Sequence, residues 1–412
     1  VATILIKNIK CLVGCSNPLN PLRGAELSLL NILENAFLLI EDEHILEYGL
    51  MNDLKSIHQY AEIIDASEKF VFPAWCDSHT HTVFPTTREE EFIDKLKGLT
   101  YAQIAEKGGG ILNSAKKLAN TSENDLFVSA WNRLEQMARL GTGAVEIKSG
   151  YGLTVEGEIK MLRVIKKLKE KSSLNIKSTF LGAHTYPSTF KENHSGYIDL
   201  IINEMLPIIS KENLADYIDV FCEDGFFSSE ETEVICKAGM NLGLKPKIHA
   251  NQLNLSGGTQ VAVKLNAVSV DHLETMDDDA IRVLANSNTI GTLLPTAAYF
   301  LRMPFQPARK LIDANCAIAL ATDYNPGSSP SGNMNMVVSM SCIQMKMLPE
   351  EAINAATING AFAMELNKEL GSIAIGKMAN LIITKPMNSL AYFPYSFGEN
   401  LIDTVLIKGQ KV

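Results

Sequence analysis

Residues 76–84 read CDSHTHTVF, which sets His79 and His81 one residue apart in a chain with eight histidines. Along a strand, side chains alternate between faces, so positions two apart point the same way. Two imidazoles aimed at one spot make half of a metal site; the plainer reading is a pair of surface histidines at a strand end. Other polar residues also close apolar runs: His184 in FLGAHTY, His249 in KIHANQLNLSGG, His272 in VSVDHLE and Asp323 in ATDYNPGS. Any one of these histidines alone reads as an ordinary hydrogen-bonded side chain. Five of the eight at successive run ends are not explained by packing. His79, His81, His249 and Asp323 would supply three imidazoles and one carboxylate, a ligand set suited to a hydrolytic metal centre. Such a metal lowers the pKa of bound water and polarises the carbon under attack. Zinc and iron both suit these ligands.

The elements that must carry these residues repeat along the chain. Strand-like runs cover 144–148, 178–183, 217–222, 246–249, 267–271, 289–294 and 317–321, and the apolar run 70–75 precedes His79. Helix-length amphipathic segments lie between them. Ser122 with Asp125 resembles a capping box ahead of a helix to about Leu140, a second helix covers 155–171, and Ser228 with Glu231 opens a third. Eight βα units predict a parallel sheet and an α/β fold of the (β/α)8 barrel type. The active face of such a barrel lies at the C-terminal strand ends, where these histidines would converge. Residues 1–68 show no strong helix and carry strand-like runs at 3–6, 36–40 and 62–65; the tail has two more at 379–384 and 403–408. The predicted organisation is a small β-sandwich-like domain built from 1–68 and 357–412, the latter including a helix, around a barrel over 69–356.

Composition narrows the class. Of 412 residues, 46% are apolar and 20% charged, which suits a globular chain with a large core. The net charge is −10 and no basic block occurs, which argues against nucleic acid or an anionic membrane as partner. No apolar run has the length of a membrane span, and the N-terminus lacks a secretory pattern, so the expected location is cytoplasmic. The seven cysteines are odd in number and scattered. Cys11 and Cys15 could bind metal or form a disulfide, but no second pair accompanies them. Isolated buried thiols are the better reading, with Cys222 a small packing residue.

The segments CDSHTHTVF, KGGGI, EIKSGYGL, FLGAHTYP, DVFCEDGFFS, KIHANQLNLSGG, VSVDHLE, TLLPTAAYFL and ATDYNPGS span most of 70–335. Together they resemble the imidazolonepropionase family of the amidohydrolase superfamily. His-x-His alone is a weak signal; EIKSGYGL, TLLPTAAYFL and ATDYNPGS in this order are specific. The resemblance implies that His79, His81, His249 and Asp323 bind one zinc or iron ion per chain. It implies that Arg88 holds a propionate carboxylate, a task suited to a planar guanidinium. Tyr151 and His184 match residues that hold the ring, and Asn325, Gly327 and Ser328 match a loop that touches substrate or product. Without the resemblance, Arg88 would be a solvated arginine beside three glutamates, Tyr151 a rim aromatic and Asn-Pro-Gly-Ser a turn.

One position departs from part of the family. Some members carry a glutamate three residues after the third metal histidine, where this chain has Gln252. An amide does not titrate usefully, so Gln252 is assigned to substrate binding and proton transfer to His272, with Asp323 as helper. Lys148 sits where a carbamylated lysine might be imagined, but its motif favours a structural lysine and one metal. Gly108–Gly110 reads as a loop near the mouth rather than a phosphate cradle, and the Met-rich 334–347 segment as core. The implied activity is metal-dependent opening of 4-imidazolone-5-propanoate to N-formimidoyl-L-glutamate in histidine degradation, by a homodimer. In that scheme the metal and His184 polarise the ring carbonyl. Two rivals stand beside it. A purine or pyrimidine deaminase of the superfamily would not need Arg88, Tyr151 and the NPGS loop. A non-catalytic barrel would not keep all four ligand positions filled.

Overall fold

The structure is a computed structural model that describes residues 3–55, 62–99, 103 and 109–412. The chain opens with β1 (Thr3–Val13), β2 (Ile32–Glu41), β3 (His44–Leu50), β4 (Glu62–Asp65) and β5 (Phe70–Pro73). Eight strands follow in βα alternation: β6 (Trp75–Thr80), β7 (Thr142–Lys148), β8 (Asn175–Ala183), β9 (Tyr217–Cys222), β10 (Lys245–Ala250), β11 (Ser269–His272), β12 (Ile290–Leu293) and β13 (Ile318–Leu320). The chain closes with β14 (Leu381–Thr384), β15 (Ile402–Ile407) and β16 (Gln410–Lys411).

Both ends of the chain share one sheet in the order β16-β15-β14-β5-β1-β2-β3, with β4 beside β1. β5 joins them. It runs parallel to β1, with Cys11 opposite Phe70, and antiparallel to β14, with Phe72 opposite Ile382. Ile4, Ile6, Leu38, Ile40, Leu381 and Leu406 form a core of their own, while Val13, Phe70, Phe72 and Ile382 belong to the barrel's core. The sequence reading runs 70–75 straight into His79 as one barrel strand; the structure divides that run. Pro73 has no N–H to continue the ladder. Beyond it, Ala74 N donates to Asn380 O on the chain-end side, and Trp75 N donates to Gly141 O on the barrel side. His79 therefore lies within a barrel strand rather than after one.

β6 to β13 pair in chain order, each parallel to the next. The seam between β13 and β6 is closed by the Thr80–Tyr324 bridge, by Asp323 N to His79 O at 3.0 Å and by His81 N to Tyr324 O at 2.9 Å. Thr322 adds two bonds to the buried Asp77 carboxylate, at 3.0 and 2.6 Å. The helices start where their caps say. Ser122 caps Glu123–Arg139 by accepting Asp125 N, although the Asp125 carboxylate takes the Ser122 hydroxyl instead of completing a box. Thr154 caps Val155–Lys171, and Ser228 with Glu231 forms a full capping box on Ser229–Met240. Leu126, Ala130, Leu134 and Met137 line the buried stripe of the first.

Helices Pro349–Ala356 and Ile358–Ala363 pack against β6 and β13. Met334–Met345 is a helix with Met334, Met340 and Met345 buried, as a packing role requires. All seven cysteines are free, and Cys222 packs against Gly258. Gly108 lies outside the described residues; Gly110 precedes helix Ile111–Ala119. No helix among the described residues is long and apolar enough to cross a membrane.

Candidate metal centre and active site

His79 in β6, His81 just past it, and His249 in β10 bring one ligand atom each to within 4.8 Å of the others. A second such group joins His79 to His272, at the end of β11, and to Asp323. Asp323 Oδ1 stands 3.4 Å from His79 Nε2 and 3.5 Å from His81 Nε2. His79 Nε2 and His249 Nε2 are buried and have no hydrogen-bond partner among the described residues. Buried polar atoms are nearly always satisfied, so two such nitrogens beside a carboxylate ask for a cation. Nitrogen and oxygen donors in this number fit zinc or iron. Burial, followed by the neighbouring charges, holds His79, His81 and His249 well below the usual histidine range. They are neutral, the form that ligates.

The opposite ring nitrogens are fixed by carboxylates. His79 Nδ1 meets Asp271 Oδ2 at 2.7 Å, and His249 Nδ1 meets Asp219 Oδ2 at 2.9 Å. Asp219 Oδ1 also accepts His249 N, tying ring and backbone together. Such carboxylates fix the ring orientation and raise ligand basicity. Behind them lie two buried lysines. Lys148 bonds Glu146 and Asp219 at 2.6 and 2.7 Å. Lys247 bonds Glu146 and donates to Ser78 O and Ala363 O. Burial opposes charge on Lys148, but Asp219, Glu146 and Asp271 outweigh it and raise its pKa. Lys148 thus remains an ammonium in an ionic layer, consistent with its reading as structural.

His272 and Asp323 occupy unusual backbone. Their φ values are +91° and +54°, and Leu273 adopts +65°. Non-glycine residues held there cost about 1–3 kcal/mol each and cluster at functional sites. Burial works against charge on His272, but Glu274, 3.3 Å from Nδ1, and then Asp323 and Asp271 lift its pKa to about 9. Burial lifts Asp323 to about 7, opposed by His272.

An aromatic wall adjoins the cluster. His81 stacks on His184 at 5.4 Å, and Tyr151 lies 5.5 Å from His184 and 6.0 Å from His81. His184 Nδ1 lies 2.9 Å from Gly150 O. A carbonyl only accepts, so Nδ1 carries the proton. Burial lowers the His184 pKa to about 4, which leaves Nε2 as a bare acceptor. Gly150, at φ +111°, has no room for a side chain, since a Cβ would sit 2.8 Å from His184 Nδ1. The turn is cradled by Glu158, whose carboxylate accepts Gly150 N, Gly152 N and Leu153 N.

Arg88 is not a freely solvated side chain. Its Nε and Nη2 grip Glu91 Oε2 at 2.9 and 2.7 Å, and Glu91 Oε1 accepts Gly110 N. Arg88 also packs on Gly327, where a Cβ would collide with Nη1. The Asn325 side chain is engaged within its own loop: its Oδ1 accepts Gly327 N and Ser328 N, and its Nδ2 donates to Asp323 O. Ser328 Oγ lies 3.3 Å from Asp323 Oδ2. The loop thereby links the cluster to Arg88. Gln252 is 8% exposed, and its side chain makes no hydrogen bond among the described residues.

The amidohydrolase family model matches residues 70–412. An imidazolonepropionase from Flavobacterium johnsoniae is 58% identical over 407 residues, covering 98% of this chain and 99% of that one. Those from Christiangramia forsetii and Clostridium tetani are 53% and 41% identical, over 100% and 99% of this chain and 100% and 98% of theirs. The chain belongs to the imidazolonepropionase family of amidohydrolases. Among solved structures, a zinc-bound adenosine deaminase from Xanthomonas campestris shares the fold at TM-score 0.72 and 15% identity, over 100% of this chain and 92% of that one. A triazine hydrolase variant does so at 0.75 and 15%, over 100% and 94%.

For this member of the imidazolonepropionase family, Arg88, Asn325, Gly327 and Ser328 were expected from the resemblance alone, while the strand-end pattern pointed to His79, His81, His184, His249, His272 and Asp323, which lie together here. The pattern missed Asp219, Asp271, Glu146, Lys247, Glu91 and Glu158. A signal was available for the first four: charged residues inside otherwise apolar strands, which a barrel can only point inward. Glu91 and Glu158 carry no such mark, because each sits in a helix with ordinary acidic neighbours.

Proposed function

We propose that the chain hydrolyses 4-imidazolone-5-propanoate to N-formimidoyl-L-glutamate, a ring-opening step of histidine degradation. The observation that carries this reading is end-to-end likeness to imidazolonepropionases at 58% identity, and it is supported by the grouping of His79, His81 and His249 with Asp323 beside the first two. His79, His81, His249 and Asp323 would hold a zinc or iron ion, which when bound would supply Lewis acidity and a more acidic water.

Arg88, braced by Glu91, anchors the propionate carboxylate through its remaining N–H groups. Tyr151 flanks the ring. His184 Nε2 is an acceptor, so it receives a ring N–H; this replaces the expectation that His184 polarises the carbonyl. Gln252, with unengaged donors and acceptor, bonds the ring edge. Asp323 takes a proton from the attacking water as the new C–O bond forms. His272, paired with Glu274, delivers a proton to the ring nitrogen as the amide C–N bond breaks. The acidic net charge supports a small-molecule partner rather than nucleic acid or membrane. A cytoplasmic homodimer is the assembly this reading assigns.

The test is product identification by mass spectrometry after adding 4-imidazolone-5-propanoate, with and without a chelator. Formimidoylglutamate that is lost on metal removal is the expected result. A metal-loaded protein with no turnover would overturn the substrate, and ammonia release from a purine or pyrimidine would replace it.

A further inference from the structure

Behind the candidate ligands, one ammonium group serves both carboxylates that aim them. Lys148 Nζ donates to Asp219 Oδ2 at 2.7 Å, and that same oxygen meets His249 Nδ1 at 2.9 Å. Lys148 Nζ stands 3.6 Å from Asp271 Oδ2, the oxygen that meets His79 Nδ1 at 2.7 Å. Its remaining direction goes to Glu146 Oε1 at 2.6 Å. An ammonium has three donors, and here each faces a carboxylate. Every member of this group is buried.

We propose that Lys148 is the positioning residue of the ligand set, fixing Asp219 and Asp271 to one another so that His79 Nε2 and His249 Nε2 face one point. The inference rests on the metal reading above and extends it to a residue that touches neither metal nor substrate. Without the ammonium, Asp219 loses a donor and Asp271 loses the charge that faces it, so the two carboxylates are no longer held to one point. Besides its imidazole, each keeps a single other donor among the described residues, His249 N on Asp219 and Ser269 Oγ on Asp271. Lys247 cannot take over. Its bonds go to Glu146, Ser78 O and Ala363 O, not to either aspartate. Arginine would not serve either, because its planar fork cannot reach three carboxylates arranged around a point.

The test loads the full chain with cobalt(II) and challenges it with graded chelator. Retained metal is read by elemental analysis and ligand geometry by the visible absorption spectrum. For Lys148→Met, cobalt affinity should fall about 10–100-fold, the range seen when groups supporting metal ligands are removed, and the spectrum should change. A second variant, Lys148→Met with Glu146→Gln, removes one positive and one negative charge. It keeps the formal charge of the layer and guards against simple misfolding. It should lose affinity as well. Wild-type affinity and spectrum in the double variant would show that charge balance alone matters, and would overturn the proposal. A wild-type chain that takes up no cobalt would overturn the metal reading and this inference with it, whereas normal wild-type binding with unaffected variants sinks the lysine alone.

Discussion

At the residue scale, the site is a set of buried groups whose protonation is set by their neighbours. Arg88 makes the sharpest case. Its pairing with Glu91 leaves part of the guanidinium for a second carboxylate. Arg88→Ala should raise KM about thirtyfold or more, since removing one partner of a buried charged pair costs about 2 kcal/mol or more. Metal content should not change, and an unaltered KM would remove the anchor role. His184 gives a pH signature. Its folded value of about 4 lies below its unfolded value of 6.5. Between those values the unfolded chain binds more protons, so stability falls as pH drops from about 6.5 to about 4, then levels off. Relative to His184→Asn, the wild type should lose about 1.4 kcal/mol per pH unit across that window. Parallel denaturant melts at several pH values will show whether the two lines diverge.

At the element scale, caps and strand ends were legible because their chemistry is local. Ser228 and Glu231 lie three residues apart, and their reciprocal bonds follow from that spacing. Ser228→Ala should cost about 1 kcal/mol; urea unfolding midpoints for the two proteins measure it. His79 and His81 were legible for the same reason, through the twofold period of a strand. The division at Pro73 was not, because both sides of it are apolar and only the partner strands differ. Nor was the service of Asp271 to His79, since the two meet across the barrel and nothing near Asp271 names its partner. The tautomer of His184 depends on Gly150 O, which sequence spacing cannot reveal.

At the scale of the molecule, the chain-end sheet and the barrel share a joint at β5 and Ala74. Asn380 accepts Ala74 N, and its side chain bonds Gly143 O and Asn175 Oδ1, so the tail reaches β7 and β8 as well. A chain cut before residue 379 should therefore lose barrel stability together with the outer sheet. One cooperative unfolding transition in the full chain, and little soluble protein from the shortened one, are the expected results; a shortened chain with an undiminished melting temperature would contradict them. The seam between β6 and β13 carries a further consequence. His79 and His81 stand on one lip and Asp323 on the other, with more than half the chain between them. A ribosome therefore releases two of the four donors early and the last only when the final barrel strand has emerged. The proposed ion site is thus a late product of synthesis: no length of chain that ends before Asp323 contains all four donors.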